Sequence, residues 1–147
     1  MMDLKLKTAG QSIDDVINVL EMADVISNVS LSGSIRKYVR VLNSKKEDIV
    51  LNCSASSAEQ ITKNYINVNI HVPNLPNQPG GTPNSIDNTQ PSSARMNEIV
   101  DHVCRVLDGY RSHDFFLNIE STGDIVPDGG NWYMNIGVWY NYLRKEK

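Results

Sequence analysis

The clearest pattern along the chain is a run of alternating apolar and polar residues from Tyr65 to Val72. One side of the run is aliphatic, and the other is polar and aromatic: Tyr65, Asn67, Asn69 and His71. A period of two residues predicts a β-strand with one buried face. A stretch rich in Pro, Gly and Asn follows this strand, from Pro73 to Ser93. We expect this stretch, at about 73–93, to form an extended arm that is mobile or becomes ordered only against another subunit.

Two segments have the residue spacing of amphipathic helices. In the first, Ser12 and Asp15 form a short version of a capping box, and apolar residues at helical spacing predict a helix over about 13–24. In the second, a wide apolar stripe runs from Met96 to Leu107 and ends before Gly109. This stripe predicts a second helix that packs on the core.

Two pairs of segments predict β-hairpins. Residues 35–41 and 49–51 alternate on either side of a polar tetrad at 43–46, which predicts the first hairpin. Residues 115–119 alternate, the turn Asp128-Gly129-Gly130 follows, and 132–143 is one long strand, which predicts a closing hairpin. The stretch 54–60 is rich in Ser and Ala and is interpreted as a loop or a helical turn.

These elements follow one another in the order αβββαββ. This order predicts an α+β domain in which two helices pack on one face of a mainly antiparallel sheet of about five strands. With 147 residues, of which 40% are hydrophobic, the chain is long enough to bury a core without metal or disulfide staples. We therefore expect a single domain, 1–147, with the arm as its one large irregular segment.

The closing strand carries large side chains on both faces. One apolar face is enough to cover the helices, so Tyr133 and Trp139 on the other face need a separate explanation. We expect them to contact a neighbouring subunit, since aromatic residues are enriched at interface centres; the alternative is partial exposure beneath the protein's own loops. Asparagines recur at strand positions that disfavour them, which fits either a contacted polar face or an ordinary wet one: Asn67, Asn69, Asn118, Asn135 and Asn141.

The composition and net charge of the chain limit the kinds of partner that it is expected to bind. The net charge of −3 argues against specific nucleic-acid binding, which needs a concentrated basic face. Five basic residues still cluster near the first predicted hairpin: Arg36, Lys37, Arg40, Lys45 and Lys46. They form either an ordinary solvated face or a binding site for an anionic partner. The chain has two cysteines, lacks a signal-peptide pattern and has no apolar run near the roughly 20 residues that span a bilayer. We expect a cytoplasmic protein without membrane contact.

The candidate chemistry is sparse. His102 and Cys104 lie two residues apart on a predicted helix and so point in different directions, which argues against a nucleophile–base pair. Glu120, Asp124 and Asp128 surround the closing hairpin and would suit the divalent cation of a small nuclease or hydrolase, although solvated loop acids are commoner. The glycine pairs match turns rather than phosphate-binding loops. We expect no catalytic, cofactor or metal site.

Two strand motifs resemble a known protein family. The segments Glu47–Asn52 (EDIVLN) and Asn67–Asn74 (NVNIHVPN), with the following loop, helix and terminal hairpin, resemble the small tail-completion proteins of long-tailed bacteriophages and prophages, including the tail terminators. The pattern covers roughly 34–143, and the motifs cover about fifteen residues. The arm is longer than the usual connection in that family, which leaves another head–tail connector role open.

The resemblance implies a structural role in assembly. It implies a virion component that forms a ring, expected to be a hexamer, and joins other tail or head-completion proteins. It carries over no catalytic residue. The expected interface comprises Tyr133 and Trp139 with the start of the arm, Pro73, Asn74, Leu75 and Pro76. Two alternatives stay open: the metal-dependent nuclease or hydrolase, and a monomeric protein-binding module of a mobile element.

Overall fold

The computed structural model describes residues 7–42, 44–56, 61–74, 91–129 and 131–143. The helices are α1 (Ala9–Met22), α2 (Val25–Asn28) and α3 (Ser93–Leu107). The strands are β1 (Ile35–Lys37), β2 (Asp48–Ser56), β3 (Ile61–His71), β4 (Phe115–Ser121), β5 (Ile125–Asp128) and β6 (Asn131–Leu143). The predicted α+β class is confirmed, and the described elements add a one-turn helix and a sixth strand to the predicted set.

The strands form one sheet in the order β1-β2-β3-β6-β4, and β5 also pairs with β6. All pairings are antiparallel except that of β1 with β2. The thirteen residues of β6 are enough to hold two neighbours on the same side. β4 pairs with the carboxyl-terminal half of β6, and β5 pairs with its amino-terminal half. The sheet therefore has β1 at one edge and the pair β4 and β5 at the other.

The predicted first hairpin is wrong. Ile35 pairs in parallel with Ile49, and β1 ends after three residues. The cause lies at Tyr38, whose φ of 71° is incompatible with a strand and turns the chain away from β2. Val39 and Val41, whose alternation predicted a longer strand, are exposed. The polar tetrad between two alternating segments thus resembles the sequence of a hairpin, but the two segments do not pair as antiparallel neighbours.

The closing hairpin is also more elaborate than predicted. The turn after Asp128 does join a hairpin, but its first strand is β5, which the alternation pattern did not reveal. The predicted strand at 115–119 is β4, and it pairs with the far half of β6. Residues 54–56, interpreted as loop or helical turn, extend β2, and β3 begins at Ile61 rather than Tyr65. The remainder of that stretch, 57–60, lies outside the described residues.

Helix α1 begins four residues before its predicted start. The capping box is formed by Thr8 and Gln11: the Gln11 amide donates to Thr8 Oγ1 at 3.1 Å, and the Thr8 amide donates to Gln11 Oε1 at 2.9 Å. Ser12, the predicted cap, lies inside the helix, where its hydroxyl accepts a hydrogen bond from the Asn64 side chain. The capping box thus forms one helical turn before its predicted position.

The core lies between the sheet and the two long helices, which pack on the same face as predicted. Buried stripes on α1 and α3 contact the inward positions of the central strands. The predicted inward face of β6 is confirmed for its buried members, Met134, Ile136, Val138, Tyr140 and Tyr142. In the described parts of the chain, no helix has the length and apolar character to cross a membrane. Most of the predicted arm, 75–90, lies outside the described residues.

Candidate interaction surface on the open sheet face

The sheet face opposite the helices carries polar and aromatic side chains on β2, β3, β4 and β6. We call this surface the open face, because no helix in the described ranges packs on it. Alternation along the strands places the following residues there: Asn52, Tyr65, Asn67, Asn69, His71, Asn118, Tyr133, Asn135, Trp139 and Asn141. The five asparagines singled out in the sequence thus share one surface, and Asn52 joins them.

The asparagines of the open face hydrogen-bond to one another across three strands. Asn67 Nδ2 donates to Asn52 Oδ1 at 2.9 Å. Asn135 Nδ2 donates to Asn67 Oδ1 at 3.1 Å and to Asn69 Oδ1 at 2.9 Å. The resulting network crosses β2, β3 and β6. These hydrogen bonds fix the orientation of the amides, so the polar surface is ordered within the chain itself.

Nearer the β4 edge, a second amide pair extends the polar surface. Asn141 Nδ2 donates to Asn118 Oδ1 at 2.8 Å, which links β6 to β4. Asn141 is buried, whereas Asn118 is exposed. The asparagine surface therefore spans most of the width of the sheet.

Aromatic rings lie on both sides of the asparagine network. Tyr65 and Trp139 are direct partners in the register, with ring centroids 4.9 Å apart at an interplanar angle of 84°. His71 and Tyr133 are also direct partners, with centroids 5.1 Å apart. Tyr133 and Trp139, predicted as interface residues, are half-buried on the open face. Each packs against a ring on β3, which restricts its side-chain conformation.

A glycine makes room for the Tyr65 ring. Gly137 lies two residues before Trp139 on β6, and the Tyr65 side chain leans across it. A β-bulge in β4 lies between Ile119 and Ser121 and contains Glu120, whose carboxylate accepts the Tyr65 hydroxyl hydrogen. Burial and the Glu120 carboxylate together raise the pKa of Tyr65, so the hydroxyl stays protonated.

The end of the open face nearest β1 contains a buried carboxylate. Asp48 is 1% exposed and accepts hydrogen bonds from Arg40 Nε at 2.8 Å, Ser44 Oγ at 2.6 Å and the Ser34 amide at 3.1 Å. Burial alone raises the pKa of Asp48, but these donors outweigh it and hold the pKa below its ordinary value. Asp48 therefore stays ionised and anchors the β1–β2 loop.

His71 lies beside this carboxylate at the end of β3. Burial, helped by the charge of Arg40, lowers the pKa of His71 to about 4, against weaker opposing effects of Asp128 and Asp48. The imidazole is therefore neutral near pH 7 and is suited to packing against the Tyr133 ring.

The described start of the arm, Pro73 and Asn74, is largely covered within the chain. Asn74 is 4% exposed, and Pro73 is half-buried. The other two arm residues of the predicted interface, Leu75 and Pro76, lie outside the described residues. Within the described part of the expected interface, accessible aromatic area thus comes from Tyr133 and Trp139.

The carboxylates considered for a nuclease site are dispersed. Glu120 contacts the Tyr65 hydroxyl, Asp124 Oδ1 accepts from the Ile125 amide at 2.7 Å within its own turn, and Asp128 ends β5. Over the described ranges, no three His, Cys, Asp or Glu side chains come close enough to share a metal ion. Burial raises the pKa of the Cys104 thiol, which is the opposite of what activates a thiolate nucleophile.

One polar cluster was not predicted from the sequence. Lys7 Nζ lies 2.8 Å from Asp15 Oδ2, 2.9 Å from Asp114 Oδ2 and 2.6 Å from the Tyr140 hydroxyl oxygen. The Lys7 ammonium also lies 5.2 Å from the Phe115 ring centroid. The cluster ties the segment before α1 to β4 and β6. Because its members are far apart in sequence, no local pattern could have indicated it.

No protein-family model matches the chain, and no curated protein matches it in sequence. The inference of function therefore rests on the arrangement of side chains. The open face offers aromatic contact area next to oriented amides, a combination typical of surfaces that recognise other proteins.

Proposed function

We propose that this chain is a structural assembly subunit that completes or joins bacteriophage tails and acts through protein–protein contacts rather than catalysis. The observation that carries the proposal is the open face, a broad sheet surface of asparagine and aromatic side chains opposite the core. Its partners would be copies of the same chain and other tail or head-completion proteins. Binding would require no cofactor.

The composition of the open face supports a role in binding. Asparagine is depleted in strands, yet it occupies outward positions on the central strands β3 and β6. Each amide has two donor hydrogens and a carbonyl with two lone pairs, so the hydrogen bonds within the network leave capacity for a partner. A surface that only had to face water would be equally served by residues with better strand propensity. Contact with a partner therefore explains asparagine at these positions better than exposure to water alone.

The aromatic residues supply the expected anchors. Tyr133 and Trp139 are half-buried, so part of each ring is accessible while the remainder packs within the chain. Aromatic side chains of this kind contribute strongly at interface centres, about 2 kcal/mol or more each. Oriented amides beside them supply hydrogen bonds that distinguish one partner from another.

The motifs that carry the family resemblance contribute to the same surface. The EDIVLN segment contains the start of β2, and the NVNIHVPN segment contains the end of β3. These two strands pair with each other, and their outward residues include Asn52, Asn67 and Asn69. The resemblance and the open face therefore support the same proposal, an assembly subunit of the tail-completion type.

The decisive experiment removes the coding sequence from the phage or prophage genome that carries it. Electron microscopy of the particles should then reveal heads and tails that are not joined, or tails of abnormal length. Wild-type chain supplied separately should restore complete particles. A Tyr133→Ala, Trp139→Ala double variant should fail to restore them.

The matched control is Met22→Ala, which removes an exposed apolar side chain (72% exposed) on α1, away from the open face. This variant should restore complete particles as the wild type does. Normal particles from the deleted genome, or cleavage of DNA by the purified chain, would contradict the proposal.

A further inference from the structure

The loop between β1 and β2 exposes four large apolar side chains within five residues: Tyr38, Val39, Val41 and Leu42. We call this segment the apolar loop. Leu42 is 87% exposed and Val39 is 67% exposed, which is unusual for neighbouring aliphatic residues. Single exposed apolar residues are common, but contiguous ones mark contact surfaces.

The apolar loop is held in place by polar contacts on its inner side. Arg40, in the middle of the loop, donates from Nε to Asp48 Oδ2 at 2.8 Å and from Nη2 to the Lys46 carbonyl at 2.7 Å. The Ser44 amide donates to the Val41 carbonyl at 3.1 Å, and Arg36 Nε donates to the Val39 carbonyl at 3.2 Å. The loop therefore presents its apolar side chains on an anchored backbone, and little order has to be gained on binding.

The apolar loop lies in the most basic part of the chain. Residues 36–46 contain five basic residues and no acidic residue. Lys37 pairs with Asp14, and Arg40 pairs with Asp48. Arg36, Lys45 and Lys46 are exposed, and no carboxylate in the described ranges forms an ion pair with them.

The opposite edge of the sheet is acidic. Residues 101–128, which cover the last seven residues of α3 together with β4 and β5, contain six acidic and two basic residues. Asp114 is neutralised by Lys7, and Asp101 by Arg105. Among the other charged residues of this range, four are acidic, Asp108, Glu120, Asp124 and Asp128, and one is basic, Arg111. The two edges of one sheet therefore carry opposite charge.

A groove of about 590 Å³ runs along this acidic edge, between α3 and the turn that joins β4 to β5. The buried or half-buried lining residues Val100, Ile125 and Met134 form an apolar floor. The exposed lining residues Asp124 and Asp101, the latter paired with Arg105, form its rim. The groove thus combines an apolar floor with an acidic rim, and the apolar loop combines apolar side chains with basic neighbours.

We infer that the apolar loop of one copy docks in the groove of a second copy. Apolar side chains would enter the groove while Lys45 and Lys46 meet the acidic rim, so the contact is complementary in both polarity and charge. The inference rests on the proposed function, since it names the surface through which the assembly subunit contacts itself.

The location of the two surfaces determines the kind of assembly. They lie at opposite edges of the sheet, so each copy offers one loop and one groove, and the contact is head-to-tail. Repetition of a head-to-tail contact gives a ring where the rotation closes and a filament where it does not. A symmetric two-fold dimer would instead bring the same patch of both copies together.

Complementation between two variants tests this geometry. The loop variant is Val39→Ser with Leu42→Ser, and the groove variant is Asn97→Arg with Asp101→Arg; all four positions are exposed. Wild-type chain should assemble beyond a dimer in native mass spectrometry, and each variant alone should be monomeric. An equimolar mixture of the two variants should form a dimer and nothing larger, because only one intact loop and one intact groove remain to meet.

Two matched controls separate this contact from general surface effects. Met22→Ser removes an exposed apolar side chain elsewhere, and Asn18→Arg with Glu21→Arg makes the same charge change on the exposed side of α1. Both controls should assemble like the wild type. Circular dichroism of all variants should match that of the wild type.

Several results would overturn the inference. A wild-type chain that stays monomeric, variants that assemble like the wild type, or a variant mixture that stays monomeric would each do so. A loop variant that self-assembles normally but fails to join tails would assign the apolar loop to a different tail protein, which also overturns self-docking while the proposed function stands. Conversely, normal particles from the deleted genome would overturn the proposed function even if the chain still assembled through this contact.

Discussion

The Tyr65 ring lies across Gly137 on the neighbouring strand β6. A Cβ atom at residue 137 would overlap the Tyr65 hydroxyl and would lie 2.6 Å from Cζ of the ring. The absence of a side chain at Gly137 therefore allows Tyr65 to reach Glu120 in the β4 bulge and to pack edge-on against Trp139. Glycine usually weakens a strand, but Gly137 on β6 lets the Tyr65 side chain on β3 reach Glu120 on β4.

Replacing Gly137 with alanine should destabilise the fold. The new methyl group must displace the Tyr65 ring, and overpacking of this kind costs about 1–3 kcal/mol. Urea unfolding of the Gly137→Ala variant measures the loss. Adding Tyr65→Phe should recover part of it, because the hydroxyl is the atom closest to the new methyl group.

Gly10→Ala is the matched control, because Gly10 lies in α1 and a Cβ there would approach nothing closer than 3.4 Å. This substitution should raise stability by about 0.5–1 kcal/mol through helix propensity. Equal effects of the two alanines would contradict the role assigned to Gly137.

The stability of the protein should fall as the pH falls from about 6.5 towards 4. Burial lowers the pKa of folded His71 to about 4, so across this window the unfolded state binds more protons than the folded state. The contribution is fully present above pH 6.5 and is lost as the pH approaches 4, with a loss of about 3 kcal/mol.

His71→Phe should flatten this dependence on pH, since it keeps a ring against Tyr133 and removes the titrating group. Urea unfolding of both proteins at matched pH values measures the difference between them. The same slope in both would show that other groups cause the dependence.

Removing the Lys7 ammonium should be strongly destabilising. Burial alone raises the pKa of Asp114, and the hydrogen bond and charge of Lys7 outweigh it to hold that pKa below its ordinary value. Lys7→Met leaves two partly buried carboxylates without their cation, and we expect a loss of about 3 kcal/mol in thermal or urea unfolding. Adding Asp15→Asn and Asp114→Asn should restore part of the stability. A Lys7→Met variant as stable as the wild type would refute the structural role of the cluster.

Truncating Trp139 should separate binding from folding. Trp139→Ala removes an edge-on ring pair, which is worth about 0.5–1.5 kcal/mol, and should leave the circular-dichroism spectrum nearly unchanged. Its capacity to restore complete particles to the deleted genome should fall by at least about tenfold, as expected for an anchor worth 1.4 kcal/mol or more. A variant that unfolds would assign Trp139 to the core, and one that restores particles fully would exclude it from the interface.

The sequence alone determined the elements that depend on a repeated local pattern. The apolar stripe of α3 and the alternation of β3 and β6 each repeat often enough to specify both the element and its buried face. The α+β class follows from these elements, because each apolar face has to be covered by another. The aliphatic face of β6 was correctly assigned to the core, and the asparagines were recognised as unusual before their common surface was known.

Tertiary structure decided the features that depend on contacts between distant residues. Strand β1 pairs in parallel with β2 and ends where the backbone becomes left-handed at Tyr38, and no alternation pattern reveals either feature. The short strand β5 exists because β6 is long enough to pair with it beside β4.

The proposed interaction surfaces also depend on the assembled sheet. The asparagine network forms only when β2, β3 and β6 lie side by side. The apolar loop and the groove lie at opposite edges of the sheet only because the strand order separates them. Local sequence encodes which face of an element is apolar. The neighbours of that element, and hence the surface they build together, are set by the packing of the whole chain.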